Sequence, residues 1–146
     1  MQVIATDVLD TKEKMVNMAQ DQLKKPGFAI DPYFYRSHVT YQSELEHIIF
    51  KSWLYAGHVS QISNKGDYFL FDIGEDSIII CRDRKEEIHA MHNMCRHRGA
   101  RVCEEPSGNC RVFACPYHGW GYALDGTLKA ARDMRDVEGF NFEDYG

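Results

Sequence analysis

The sequence has no long apolar run and no hydrophobic leader at its N-terminus. A membrane-spanning helix needs about 20 consecutive apolar residues, and no stretch of the chain approaches that length. A secretion signal needs a positively charged start followed by an apolar segment, and residues 1–14 do not show this pattern. These two absences predict a cytoplasmic protein.

The sequence also lacks an excess of positive charge: 17 basic and 22 acidic residues give a formal net charge of −5. Because nucleic acids and anionic membranes attract basic proteins, neither is expected as a partner. The length of 146 residues and the hydrophobic content of 44% are those of a soluble globular domain. In a cytosolic protein, 5 cysteines indicate metal or redox chemistry more often than disulfides.

Residues 1–60 are expected to form a mostly helical lead-in that packs on a β domain. Asp10 or Thr11 can cap a first helix that runs to about Lys24. The hydroxyl of Ser43 can cap a second helix, because a glutamate follows three residues later as in a capping box.

Residues 61–146 contain the short apolar stretches, separated by turns, that are typical of antiparallel strands. Strands are predicted at residues 68–73, 77–81, 88–92, 111–114 and 121–124. The pair Asp125-Gly126 after the last of these is a strong hairpin signal. The predicted fold class is therefore mainly β, a small antiparallel sandwich or barrel with two ligand-bearing loops, preceded by N-terminal helices.

Each of those two loops carries one thiol and one imidazole. They are Cys95-Arg-His97 and Cys115-Pro-Tyr-His118. A structural zinc ion also takes two cysteines and two histidines, but zinc fingers usually supply a cysteine pair from one segment and a histidine pair from another. A mixed pair in each loop favours a binuclear centre, with both cysteines on one iron and both histidines on the other, as in a Rieske [2Fe–2S] centre. Zinc is the alternative.

With their flanking residues, the loops resemble the N-terminal domain of the large (α) subunit of Rieske non-heme iron oxygenases. This family includes ring-hydroxylating dioxygenases and monooxygenases. The resemblance is carried by Cys95-Arg-His97-Arg-Gly99 and by Cys115-Pro-Tyr-His118-Gly-Trp-Gly-Tyr122, and it extends over residues 31–146. It implies a Rieske-type fold, a [2Fe–2S] cluster held by the four loop residues, and one-electron transfer.

Several further residues are expected to lie around these ligands. They are Arg98, Gly99, Tyr117, Trp120 and His92. The arginines at 96, 98 and 101 either form a docking patch for an acidic electron donor or are solvated loop charges.

Two departures from the respiratory Rieske proteins predict a low reduction potential. Respiratory Rieske proteins have similar loops, but each loop carries one extra cysteine and the two form a disulfide. In this chain the corresponding positions are occupied by Ala100 and Tyr117. The respiratory proteins also place a serine, which can donate to a cluster sulfide, where this chain has Trp120. Fewer hydrogen bonds to sulfur stabilise the reduced cluster less, so the potential should lie toward the bottom of the roughly −150 to +300 mV Rieske range.

A catalytic iron site is not recognisable in the sequence. An oxygenase holds a mononuclear iron with two histidines and a carboxylate, and no helical histidine pair lies near an acid here. In oxygenase subunits a stretch similar to residues 139–146 leads into a catalytic domain, which is expected to be absent from this chain. No catalytic residue is therefore predicted, and the chain alone should not hydroxylate a substrate.

The sequence thus predicts an electron-transfer domain that forms the N-terminal part of an oxygenase α subunit, which hydroxylates or demethylates a small organic substrate. The alternatives are a standalone Rieske ferredoxin and, more distantly, a structural zinc-binding module. For a full subunit, the resemblance implies a homotrimer with a non-heme Fe(II) in the missing domain. It also implies a ferredoxin or flavin reductase as electron donor.

Overall fold

The computed structural model describes residues 10–134 and 136–146, which divide into two compact units between Tyr55 and Ala56. The first unit contains helix α1 (Lys12–Leu23), helix α2 (His38–His47) and a 3₁₀ turn at Ile49–Lys51. None of the described helices is both long and apolar enough to cross a membrane.

Helix α1 begins where the sequence predicts, because Thr11 caps it. The Thr11 hydroxyl accepts a hydrogen bond from the backbone N–H of Lys14 at 3.2 Å. This satisfies one of the N–H groups that have no partner inside the helix.

The predicted start of the second helix at Ser43 is wrong. Helix α2 already begins at His38, because the Ser37 hydroxyl caps it by accepting from the backbone N–H of Thr40 at 2.9 Å. The Asp10 carboxylate fixes this start by accepting from the Ser37 hydroxyl at 2.7 Å. Ser43 therefore lies inside the helix rather than at its cap.

The second unit is built on two antiparallel sheets, which confirms the predicted mainly β fold class. The first sheet has the order β3-β2-β1-β4 and the second β5-β6-β7. The strands are β1 (Asp67–Ile73), β2 (Asp76–Arg82), β3 (Ile88–His92), β4 (Ser107–Asn109), β5 (Phe113–Ala114), β6 (Gly121–Tyr122) and β7 (Leu128–Ala130). Two 3₁₀ turns, Val59–Ile62 and Phe142–Tyr145, belong to the same unit.

The sequence prediction missed two strands, and β5 and β6 are shorter than predicted. Strand β4 consists of serine, glycine and asparagine, so it has no apolar alternation to reveal it. It forms because it pairs with the edge of β1, with Phe69 opposite Ser107.

The core of the second unit draws on both sheets. Ile79 and Cys81 come from the first sheet, and Phe113 and Leu128 from the second. The buried cluster also contains three side chains of the two loops: Cys95, Cys115 and Trp120. The loops are therefore anchored in the core by the residues that carry the predicted chemistry.

Candidate metal centre

The two predicted ligand loops share one backbone design. In loop 1 (residues 95–100), the Cys95 N–H donates to the carbonyl of Ala100 at 2.8 Å, and the Gly99 N–H donates to the carbonyl of Cys95 at 2.9 Å. Loop 2 (residues 115–120) repeats both hydrogen bonds between equivalent positions, at 2.8 and 3.0 Å. Each loop is therefore a tight turn that begins at its cysteine.

A glycine in the left-handed region makes each turn possible. Gly99 has φ +73° and Gly119 has φ +71°, each four residues after the cysteine of its loop. A Cβ at either position would meet no atom within 4 Å. Glycine is therefore required for the backbone conformation and not for lack of space.

The structure buries two of the four predicted ligands in the core and brings the other two into contact. Cys95 and Cys115 are buried, with relative exposures of 1% and 3%. The rings of His97 and His118 are half-buried, and their centroids lie 4.6 Å apart with the planes at 69°. Each loop thus contributes one enclosed thiol and one accessible imidazole.

Within the described residues, no three donor atoms of the four predicted ligands lie within 4.8 Å of one another. A tetrahedral zinc site with bonds of about 2.0–2.3 Å holds all its ligand atoms within about 4 Å of one another. Within residues 10–134 and 136–146, just one group has three or more potential ligand atoms all within 4.8 Å: Asp83, Glu87 and His89.

The group of Asp83, Glu87 and His89 has a structural role that explains its close spacing. It closes the β2–β3 hairpin, where one oxygen of Asp83 accepts from the backbone N–H groups of Lys85 and Glu87 at 2.8 Å each. The other oxygen pairs with Nε2 of His89 at 3.2 Å.

Both loop histidines are suited to hold a metal. Nδ1 of His118 is buried and has no hydrogen-bond partner in the described part of the chain. An unpaired buried nitrogen costs about 1–3 kcal/mol, which a metal ion bound at that atom would offset. Burial lowers the pKa of His97, and the neighbouring His118 and Arg98 lower it further. The low pKa favours the neutral imidazole that metals bind.

Tyr122 contacts the cluster loops in a way that the sequence did not predict. Its hydroxyl lies 3.3 Å from Sγ of Cys95 and accepts the backbone N–H of Arg96 at 3.0 Å. Because that N–H occupies the oxygen, the hydroxyl proton is free to point at the sulfur. Burial and the contact with Cys95 raise the pKa of Tyr122, so the phenol stays a neutral donor.

The other residues that the sequence predicts near the ligands differ in burial and in what they contact. Trp120 is buried and stacks on His97, with centroids 4.8 Å apart and planes at 9°. Tyr117 is 60% exposed and lies 3.9 Å from the His118 ring. Arg98 is exposed, and His92 is exposed at the end of β3 opposite Ile78.

Asn93 braces the segment that follows loop 1. Its side-chain oxygen accepts from the backbone N–H groups of Val102 and Cys103, at 3.0 and 2.8 Å. Its amide group donates to the carbonyl of Cys103 and to the hydroxyl of Ser77. The only sequence signal for this role is a short polar side chain at the end of a strand.

Comparison with known proteins places this arrangement in a family. The model of the Rieske [2Fe–2S] domain matches residues 52–141. The biphenyl 2,3-dioxygenase subunit alpha of Rhodococcus jostii is 39% identical over 118 residues, which cover 80% of this chain and 26% of that subunit. The glycine betaine monooxygenase oxygenase subunit of Pseudomonas aeruginosa is 34% identical over 120 residues, covering 82% of this chain and 28% of its own length.

A solved structure shares the fold over nearly the whole chain. Naphthalene 1,2-dioxygenase from Rhodococcus sp., bound to indole, superposes with a TM-score of 0.79 at 30% identity. The match covers 94% of this chain and 32% of that one. The chain thus spans about a quarter of the length of the curated relatives it matches, 26% and 28% for the two above.

Proposed function

The chain belongs to the Rieske [2Fe–2S] domain family, and we propose that the two cysteines and two histidines of loops 1 and 2 ligate its cluster. Cys95 and Cys115 would hold one iron, and His97 and His118 the other. Such a cluster, when bound, exchanges one electron at a time. The observation that carries the proposal is the pair of equivalent turns that start at buried cysteines, beside the unpaired buried Nδ1 of His118.

The residues around the cluster site would each have a separate role. The cysteines lie in the apolar core, which keeps water away from the sulfurs. Tyr122 donates to the Cys95 sulfur and holds loop 1 through the Arg96 N–H. Each histidine that binds iron through one ring nitrogen keeps the other available for a proton, so electron and proton uptake can be coupled there.

We propose that electrons enter and leave on the histidine side. Tyr117, which is 60% exposed, lies on the His118 ring and gives a partner direct access to that end of the site. The exposed Arg96 and Arg98 flank His97 and would attract an acidic donor. The donor would be a ferredoxin or a flavin reductase that draws on NADH or NADPH.

We also propose that this domain works within a longer oxygenase α subunit in the cytoplasm. Its relatives include dioxygenase and monooxygenase subunits of about three times its length. In such a subunit the electron would pass to a mononuclear non-heme iron in a second domain, which would oxidise a small organic substrate. The subunit would be a homotrimer, with neither nucleic acid nor membrane among its partners.

Metal analysis and spectroscopy of the purified chain test the cluster. We expect about two iron and two acid-labile sulfide per chain, and a reduced state with the low average g-value of a Rieske centre in electron paramagnetic resonance (EPR). A colourless protein that contains one zinc per chain would refute the proposal.

The reduction potential tests the assignment to the oxygenase branch. None of the five cysteines forms a disulfide, so no disulfide braces the loops. We expect protein-film voltammetry to give a midpoint toward the lower end of the roughly −150 to +300 mV range. A midpoint well above zero would instead indicate a high-potential centre of the respiratory kind.

A further inference from the structure

Three aromatic rings connect the C-terminal segment to a predicted cluster ligand. Trp120 stacks on His97 and also contacts Phe140 and Tyr145 edge-on, each at 5.7 Å. Phe140 and Tyr145 stack on one another at 4.8 Å. We call Phe140 and Tyr145, with the Trp120 ring that they hold, the aromatic clamp.

The segment that supplies the aromatic clamp is fixed in place by local hydrogen bonds. The side chain of Asn141 caps the 3₁₀ turn Phe142–Tyr145 by accepting from the backbone N–H of Glu143 at 3.2 Å. The Arg96 guanidinium donates to the carbonyl of Asp144 at 3.3 Å, which ties this turn to loop 1.

The His97 ring is half-buried and has no hydrogen bond to a protein group among the described residues. Histidines that bind metals are usually oriented by a hydrogen bond from the second ring nitrogen. Among the hydrogen bonds of the described residues, neither ring nitrogen of His97 has a protein partner. The rotation of an imidazole about its second side-chain torsion is soft, so a ring stacked on it can help to fix its plane.

We infer that the aromatic clamp fixes that plane, a conclusion that rests on the proposed role of His97 as a ligand. Trp120 is 2% exposed and is held between the core and two further rings, so it offers His97 an immobile flat surface. Stacking at an interplanar angle of 9° leaves the imidazole little freedom to rotate. Phe140 and Tyr145 are thus positioning residues that act on the cluster through Trp120.

Substitutions that keep apolar volume but remove a ring test this role. Phe140→Leu and Tyr145→Leu should each speed the loss of the cluster to an iron chelator by about twofold to tenfold, the range expected for one lost aromatic pair. Tyr145→Phe, which keeps the ring, should restore most of the slow rate. Phe142→Leu is the matched control, because this ring contacts Phe140 but makes no contact with Trp120 among the described ring pairs.

Nitrogen hyperfine couplings of the reduced protein separate positioning from general destabilisation. If the aromatic clamp acts through His97, Tyr145→Leu should change one histidine nitrogen coupling and leave the other unchanged. Adding Tyr145→Leu to Trp120→Leu should then have no further effect on the rate of cluster loss.

Equal changes at both nitrogens, an unchanged rate of loss, or an effect of Phe142→Leu as large as that of Tyr145→Leu would overturn the inference. These outcomes all require a parent protein that holds its cluster. A parent without iron and sulfide would refute the proposed function instead.

Discussion

Loops 1 and 2 have the same backbone and different surroundings. Both begin at a buried cysteine, close with the same two hydrogen bonds, and turn at a glycine with φ near +70° (+73° and +71°). In loop 1 the thiol lies against Tyr122 and the imidazole against buried Trp120. In loop 2 the imidazole lies against Tyr117, which is 60% exposed, and no side chain within the described residues bonds the thiol of Cys115.

This difference separates two tasks. The shared turn, formed by two backbone hydrogen bonds and a glycine at positive φ, determines where each ligand side chain lies. The residues around each loop would determine whether its ligand mainly tunes the reduction potential or mainly exchanges electrons with a partner. The ligands of loop 1 contact the buried Tyr122 and Trp120, which would suit control of the potential, whereas His118 of loop 2 lies beside the exposed Tyr117, which would suit exchange of electrons with a partner.

The largest expected effect is that of removing a ligand, and it should be the same in both loops. Cys95→Ser and Cys115→Ser should each reduce iron and sulfide content to background, because each takes one thiolate from the same iron. Cys110→Ser is the matched control, since this half-buried free thiol lies outside both loops. Normal cluster content in either loop variant would contradict the proposed ligation.

Glycine substitutions test whether the two turns are equivalent. Gly99→Ala and Gly119→Ala should each lower the free energy of unfolding by about 1–2 kcal/mol, because alanine is strained at positive φ. The thermal midpoint at equal iron content measures the loss. Gly121→Ala, where the new Cβ would meet Ala130 at an ordinary 3.5 Å, should cost less. A clearly larger decrease in the free energy of unfolding for one of the two variants would show that the two turns are not equivalent.

Tyr122→Phe probes the asymmetry at the cysteines. Without the hydroxyl, the reduced and more negative state loses a stabilising hydrogen bond at Cys95, so the reduction potential should fall by tens of millivolts. About 59 mV corresponds to a tenfold change in a one-electron equilibrium. Tyr68→Phe, which removes another buried hydroxyl away from loop 1, is the control. An unchanged or raised potential in Tyr122→Phe would contradict this role.

Tyr117→Ala should have the smallest effect and concerns the exposed side of loop 2. We expect a modest decrease in the rate of electron transfer from an external reductase, with an unchanged potential, because the partner would lose a contact beside His118. Stopped-flow reduction at several donor concentrations measures this rate. Ile88→Ala removes another exposed apolar side chain, at the far end of β3, and should leave the rate unchanged.

The sequence predicts the loops well because their chemistry is local. A thiol, an imidazole and a glycine within five residues define each turn, and the regular strands β1, β2 and β3 follow from apolar patterning. What depends on distant residues could not be predicted. The hydroxyl of Tyr122 reaches Cys95 across 27 positions, and Asp10 reaches Ser37 across 27 positions to set the start of α2.

We propose above all that one histidine from each loop binds the cluster. The most direct test is electron–nuclear double resonance of the reduced protein after labelling of its histidines with ¹⁵N. We expect two strongly coupled histidine nitrogens in the parent protein, and loss of this signal in His97→Ala and His118→Ala. A spectrum of reduced parent protein without coupled histidine nitrogens would contradict the account.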